Sequence, residues 1–349
     1  MSPPEPVPRR HGRSAGTGRE VTSREVARLA GVSQPTVSRA LRGDLRVSAE
    51  TRRRVLEAAA ALDYVPSEIG RSLSTRATRR VGMLVTDLTN PFYPNLLAPL
   101  HDELERRGYR MVLFTERQDE ISVVERLIDG SIDGVVLTTS LAASGLPYEL
   151  MRRNRPFVFL NREVYGVEAD ACVVDNRLGA RLAAEKLIQL GHRTIAAIFG
   201  PEETTTGRER EAGLRESLAE HGVGLPGSLS RRGPFDFATG YRAMTELLRE
   251  PVRPSAVFCA NDVIAIGAYN AAHRAGLSIP ADLTIIGFDD ISMASWDVFR
   301  LTTVRHDLVA MARNAGNLLV DRIELPDRPV RRIVMEPSLT LRHTHAPPR

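Results

Sequence analysis

From Val81 onward, short apolar runs alternate with stretches of helical spacing, and that alternation leaves little choice of fold. Val81-Gly82-Met83-Leu84-Val85, Arg110-Met111-Val112-Leu113-Phe114, Gly134-Val135-Val136-Leu137 and Phe157-Val158-Phe159-Leu160 read as strands. Between them 94–107, 121–129 and 147–154 read as helices, the first ended by Gly108. Strand–helix alternation builds a parallel sheet with helices on both faces. The pattern then repeats, with strands at 171–174, 194–199, 231–233, 256–259 and 283–286 and helices at 176–190, 208–221, 237–248 and 262–275. Two α/β units of similar size predict an α/β core of two Rossmann-like lobes with a cleft between them. Ligands in such sheets bind at the carboxyl ends of strands.

This core carries none of the common catalytic signatures. Ile198-Phe199-Gly200-Pro201 follows a strand but lacks the later glycines of a dinucleotide fingerprint. Neither Gly-x-Ser-x-Gly nor His-Glu-x-x-His occurs. His192 follows a helix-ending Gly191 and reads as a surface or capping histidine. Cys172 and Cys259 sit in separate apolar runs, the setting of buried thiols rather than of a disulfide or a metal site. His343 and His345 lie in a Pro-containing tail without the further ligands that a metal needs. No catalytic residue, metal or cofactor is expected, so the chain reads as a binder and not an enzyme.

Ahead of the core lies a different texture. In Val21-Thr22-Ser23-Arg24-Glu25-Val26-Ala27-Arg28-Leu29-Ala30, Thr22 or Ser23 can cap a helix, and Glu25 suits the positive end of its dipole. Val26, Ala27, Leu29 and Ala30 give that helix an apolar side. Gly31 allows a sharp turn, Val32 plugs the angle, and Ser33 caps a second helix that tolerates Pro35 in its first turn. With Val37, Ala40 and Leu41 facing inward, Gln34, Thr36, Ser38 and Arg39 remain outside. These are residue types that read base edges or hold phosphates. A third helix opens at Ser48, runs through Val55, Leu56, Ala59 and Leu62, and ends at Tyr64-Val65-Pro66. Three helices in so short a stretch make a small all-α helix-turn-helix head.

Charge agrees. Residues 1–80 carry 16 Arg against 8 acidic residues, whereas 81–349 carry 31 basic and 35 acidic residues. Lys186 is the only lysine, so a compositional bias explains Arg over Lys. It does not explain why acidic residues fail to balance the arginines in one segment. Phosphate binding does. Residues 1–20, rich in Pro, Arg and Gly, lack the apolar stretch of a secretory signal and read as a disordered basic tail. No run of 18 apolar residues occurs, so no spanning helix is expected and a cytoplasmic, nucleoid-associated place is.

The order of parts resembles the lactose/galactose repressor (LacI/GalR) family. The resemblance covers residues 21–342. It rests on the head and on Asp87-Leu88-Thr89-Asn90-Pro91-Phe92-Tyr93, Asn161-Arg162, Leu190-Gly191-His192-Arg193, Ala260-Asn261-Asp262, Gly287-Phe288-Asp289-Asp290 and Leu301-Thr302-Thr303-Val304-Arg305. It implies a transcriptional repressor that binds a palindromic operator as a homodimer, controlled by a small polar effector (sugar, sugar acid or nucleobase) in the interlobe cleft. A solute-binding protein of a transport system is the alternative, which the head argues against.

The resemblance also implies residue roles. Gln34, Pro35 and Arg39 match base-reading positions, and Thr22, Ser33, Thr36 and Ser38 match phosphate-contacting ones. Residues 67–79 match a hinge helix that folds on DNA, with Leu73 as a minor-groove wedge. Gly70 stands in it where the family often has Ala, which raises the cost of ordering by roughly 1 kcal/mol. Thr86, Phe92, Thr138, Asn161, Arg208, Phe235, Asn261 and Asp289 match effector positions, and Trp296 lies near the cleft by the same match. The expected organisation is a tail at 1–20, a head at 21–66, a hinge at 67–79, a core at 80–342 and a tail at 343–349. Within the core, 80–161 and 293–323 are expected to form one lobe, and 162–290 and 324–342 the other.

Overall fold

The structure is a computed structural model that describes residues 21–41, 43–64, 77–86, 88–115, 125–127, 129–138 and 144–349. The chain divides into two compact units, residues 1–77 and 78–349. The helix expected at 121–129 lies largely outside the described residues, as does most of the expected hinge, Gly70 and Leu73 included.

The first unit contains α1 (Ser23–Ala30), α2 (Gln34–Leu41) and α3 (Ala49–Ala61). Thr22 caps α1, and its N–H donates to Glu25 Oε2 at 2.8 Å. Gly31 ends that helix at φ 64°, a left-handed conformation that favours glycine. Ser33 and Ser48 cap the next two helices, Ser48 Oγ accepting from Thr51 N–H at 3.2 Å. Val26, Ala27, Ala30, Val37, Ala40, Val55, Ala58 and Ala59 are buried together, with Val32 and Leu41 packed against them. Leu29, expected on the apolar side, is instead exposed, because its neighbours Ala27 and Ala30 take the face toward α2 and α3.

The second unit holds two six-stranded sheets. The first contains β1 (Arg80–Val85), β2 (Arg110–Thr115), β3 (Gly134–Leu137), β4 (Phe157–Leu160), β5 (Asp170–Val174) and β11 (Arg332–Met335), in spatial order β11-β5-β4-β3-β1-β2 and all parallel. The second contains β6 (Ile195–Phe199), β7 (Ser230–Arg232), β8 (Ala256–Cys259), β9 (Thr284–Asp289), β10 (Thr302–Arg305) and β12 (Ser338–Thr340), in order β12-β10-β9-β8-β6-β7. Only β12 runs antiparallel to its neighbour. The helices are α4 (Phe92–Arg106), α5 (Leu146–Arg152), α6 (Asn176–Gln189), α7 (Thr205–Glu220), α8 (Phe237–Leu247), α9 (Asp262–Arg274) and α10 (Leu308–Glu324). Strands such as β3, β4, β6 and β8 are buried along their whole length, which is why they read as continuous apolar runs.

The expected division into lobes needs correction. β5 pairs with β4 and β11 pairs with β5, so both belong to the first lobe rather than the second. β10 pairs with β9 in the second sheet, not with the first lobe. The chain therefore crosses between lobes at Asp175, at His306–Asp307 and at Glu336–Pro337. A buried carboxylate drives part of this arrangement. Asp170 at the start of β5 accepts from Arg322 Nε, from both terminal nitrogens of Arg328 and from Arg331 N–H, each at 2.9 Å. It thereby fastens β5 to α10 and to the segment entering β11. Asp175 N–H donates to Met335 O at 3.1 Å and joins two of the crossovers.

The C-terminal tail is part of the second lobe. Thr344 O accepts from Ile285 N–H at 2.8 Å, and Thr344 Oγ1 accepts from Thr302 N–H at 2.9 Å while donating to Ile285 O at 2.6 Å. His192 is buried rather than on the surface. Its Nε2 meets Ala346 O at 2.9 Å and its Nδ1 meets Ser255 Oγ at 2.8 Å. Cys172 and Cys259 are free and buried, as expected, and burial pushes both thiols up, Cys172 to about 12.

Candidate functional site

Two surfaces gather the singled-out residues, one in each unit. In the first unit, Thr22, Ser33, Gln34, Pro35 and Arg39 are exposed and Thr36 and Ser38 are half-buried. Ser33 Oγ and Thr36 Oγ1 share a hydrogen bond of 2.8 Å, and Thr22 Oγ1 donates to Glu25 Oε2 at 3.1 Å. Gln34 Nε2 donates to Ser23 Oγ at 2.8 Å, which brings together the starts of α1 and α2. Arg46 and Arg53 are engaged in ion pairs with Asp44 and with Glu50 and Glu57.

In the second unit a small, partly open pocket lies between the lobes at the carboxyl ends of the strands. The loop after β1 supplies Asn90, Phe92 and Tyr93, and the residues after β4 supply Asn161 and Arg162. The second lobe supplies Thr206 and Arg210 from α7, Phe235 after β7, Asn261 after β8 and Asp289 at the end of β9. Asn90 Nδ2 donates to Phe235 O at 2.9 Å and closes one side of the pocket from lobe to lobe. The Arg162 guanidinium lies 5.1 Å from the centre of the Phe235 ring. Gly200 makes room for that ring, since a Cβ there would stand 2.2 Å from it.

Arg210 is the electrostatic centre. It is 2% exposed, and its Nη2 lies 2.8 Å from Asp289 Oδ1. Its Nε donates to Asn176 Oδ1 at 2.8 Å, its Nη1 donates to Ala260 O at 2.6 Å, and its plane lies 3.7 Å from the Phe288 ring centre. Burial pushes the Asp289 carboxyl up, while the Arg210 charge pulls it back. Asp262 is pushed well up by burial and then by Asp289, and it accepts from Thr303 Oγ1 at 2.5 Å and from Ile291 N–H at 2.9 Å. Asp289 sits at φ 108°, a conformation rare for a residue with a side chain and common where function demands a fixed direction. Asn161 Oδ1 is buried with no hydrogen-bond partner among the described residues, as is Arg162 Nε. A buried acceptor left open beside two aromatic rings and a paired arginine suits a ligand bearing hydroxyl groups.

Of the eight expected effector residues, Phe92, Asn161, Phe235, Asn261 and Asp289 line this pocket, and Thr86, Thr138 and Arg208 do not. Thr138 Oγ1 donates to Leu84 O at 2.6 Å, and Thr86 Oγ1 lies 3.2 Å from the Tyr93 hydroxyl. Arg208 turns away and places its guanidinium 5.2 Å from the Tyr165 ring centre. Two residues along a helix are a rotation of about 200°, so Arg208 and Arg210 point to opposite sides. The sequence held a signal for this. Thr206, Arg210, Leu214 and Leu218 recur at helical spacing on the buried face of α7, a phase that excludes Arg208. Asn90, Tyr93 and Arg162, which also line the pocket, lie within the segments that carry the family resemblance. Trp296 is 53% exposed and is not among the pocket residues.

Comparison with known proteins agrees with both halves. Residues 22–67 match the model of bacterial regulatory proteins of the lacI family, and residues 184–345 match the periplasmic binding protein-like domain. The ribose operon repressor of Escherichia coli (strain K12) is 36% identical over 323 residues, covering 91% of this chain and 98% of that protein. A lac repressor dimer bound to operator and the anti-inducer ONPF superposes with a TM-score of 0.84 at 25% identity, covering 94% of this chain and all of that one. A LacI family regulator from Enterococcus faecium with bound ribose gives a TM-score of 0.70 at 30% identity, covering 77% of this chain and all of that one.

Proposed function

Because this chain belongs to the LacI family of bacterial regulatory proteins, it is a DNA-binding transcriptional repressor controlled by a small effector, and we propose that this effector is a monosaccharide held between Phe92 and Phe235. One observation carries the sugar reading. The open acceptor Asn161 Oδ1 and the Arg210–Asp289 pair converge on a small pocket walled by two aromatic rings. Ring faces cover the C–H side of a sugar, and the polar groups exchange hydrogen bonds with its hydroxyls. Ribose leads the candidates, since a repressor of a ribose operon and a ribose-bound regulator are among the similar proteins.

In this reading Gln34, Pro35 and Arg39 meet base edges, Thr22, Ser33, Thr36 and Ser38 meet phosphates, and Leu73 wedges into the minor groove. Arg39 pairs with guanine, and Pro35 offers only an apolar contact, such as to a thymine methyl. A homodimer places two heads on the two halves of a palindrome. Sugar in the cleft changes the angle between lobes and so the operator affinity, with a coupling of about 1–3 kcal/mol. The protein works in the cytoplasm where its operator is, and no reaction is assigned to it.

The test is a thermal-shift and calorimetric screen of the full chain against ribose, other pentoses, hexoses and nucleobases, followed by a gel shift on the DNA upstream of its gene. A pentose is expected to raise the melting temperature and to alter a salt-dependent, specific shift. Stabilisation by a nucleobase and by no sugar overturns the effector reading while leaving the repressor intact.

A further inference from the structure

Gly200 follows β6 directly and is succeeded by Pro201. The residue before a proline is held to extended backbone. Gly200 is not among the glycines of positive φ, so its backbone would accept a side chain. What excludes one is the Phe235 ring. A Cβ at Gly200 would overlap three of its carbons, Cζ, Cε1 and Cε2. Phe235 lines the effector pocket and Gly200 does not, so the ring stands between Gly200 and the ligand space. The backbone around the ring is pinned. Gly233 N–H donates to Phe199 O at 3.2 Å, Phe235 O accepts from Asn90 Nδ2 at 2.9 Å, and Asp236 caps α8 by accepting from Thr239 N–H at 2.7 Å. Gly200 is held as well, its carbonyl accepting from Arg232 Nη1 at 3.0 Å. With both backbones fixed, a collision is relieved by the ring, the far end of a side chain that turns about its own rotatable bonds.

We infer that Gly200 sets the depth of the effector pocket by the place it leaves for Phe235. With no side chain at 200, the ring lies back against the end of β6. An added methyl drives it forward into the space that a ligand needs. Laid back, the ring offers a flat apolar face to the C–H side of one sugar ring. Pushed forward in a pocket already small, it overlaps the ligand, and overlap of that kind is costly in any close-packed site. Gly200 touches no ligand in this arrangement and is a positioning residue that acts through Phe235. The inference rests on the reading of Phe235 as a wall of a monosaccharide pocket, and the experiment separates the two.

Ribose binding to the full chain is measured by calorimetry for wild type, Gly200→Ala, Phe235→Leu and the double variant, with folding checked by urea midpoints. Leucine at 235 lacks the three carbons that a Cβ at Gly200 would meet. Gly200→Ala is expected to weaken ribose binding by at least about tenfold. Phe235→Leu weakens it by about fivefold through lost ring coverage. In the double variant the alanine costs nothing further, and the affinity stays within about twofold of Phe235→Leu. A crystal structure of ligand-free Gly200→Ala shows the ring advanced into the pocket. Ribose binding by Gly200→Ala at wild-type affinity, an equal loss in both backgrounds, or a ring turned out to solvent overturns the inference. Failure of Gly200→Ala to fold means that the collision is not relieved into the pocket, and the inference fails with it. If wild type binds no sugar, the monosaccharide reading fails, and the ring position in the Gly200→Ala crystal alone decides the role of Gly200.

Discussion

Arg210 and Asp289 form an ion pair of 2.8 Å in which both side chains are almost wholly withdrawn from water. One comes from the start of α7 and the other from the end of β9, so the pair ties two strand-end loops together at the floor of the pocket. Removing one partner strands the other charge. Arg210→Ala is expected to cost about 3–5 kcal/mol in urea unfolding. Asp289→Asn, which keeps a neutral acceptor near Arg210, should cost less.

Sugar binding separates the two arginines of α7. Asn161→Ala and Phe235→Ala are expected to weaken ribose binding by about tenfold or more, since each removes a pocket wall or acceptor. Arg208→Ala should leave the affinity within about twofold, because its guanidinium lies against Tyr165. Calorimetric titration of the three variants decides. Loss of binding in Arg208→Ala would put that residue back in the pocket.

His306, at the second interlobe crossover, predicts a pH dependence. Burial, followed by the charge of Arg210, pushes its pKa from 6.5 down to about 3. Both ring nitrogens lack hydrogen-bond partners among the described residues, and Asp290, Arg305, Asp307 and Arg342 line the same groove. A group with a lowered folded pKa contributes stability that is present above its unfolded value and lost as pH falls. Wild type should therefore lose about 2 kcal/mol between pH 6.5 and pH 5 that His306→Gln does not lose. Asp262, whose pKa is raised, acts with the opposite sign, and comparing the two proteins cancels it. Parallel urea curves at both pH values for wild type and variant would refute the assignment.

Asp170 tests the corrected division into lobes. Its carboxylate is buried and is shared by Arg322, Arg328 and the Arg331 amide. Asp170→Ala is expected to destabilise by about 3–5 kcal/mol. If β5 lay outside the first lobe, the loss would be that of an exposed ion pair, under about 1 kcal/mol.

The tail gives the last prediction. Thr344→Val keeps the volume and removes the hydroxyl that bonds Thr302 N–H and Ile285 O. Two buried backbone groups lose a partner, and a cost of about 1–3 kcal/mol is expected. Thermal melts of the full chain check it. A free tail would show no change.

Much of this was legible in the chain. The head could be read because caps, turn glycine and apolar spacing are local: Thr22, Gly31, Ser33 and Ser48 act within four residues of themselves. The central strands could be read because they are buried on both faces and so are largely apolar, as in β1, β3, β4, β6, β8 and β9. Phe92, Asn161, Phe235, Asn261 and Asp289 are carried over by the family resemblance, position by position, as are Thr86 and Thr138, which do not line the pocket.

What lay outside local order was decided by the tertiary structure. β5, β10 and β11 are short, and their lobes depend on which strand edge they meet across the sheet, as Asp170 does through partners about 150 residues away. Arg210 displaced Arg208 because the phase of α7 is set by what packs against it. The tail became part of the second lobe because unpaired backbone groups at β9 and before β10 needed partners. Sequence determined the elements and their chemistry, since those rest on contacts within one turn or one strand. Folding alone decided which distant groups share a buried charge or a hydrogen bond, because a buried polar group is tolerated only with a partner, and that partner can come from anywhere in the chain.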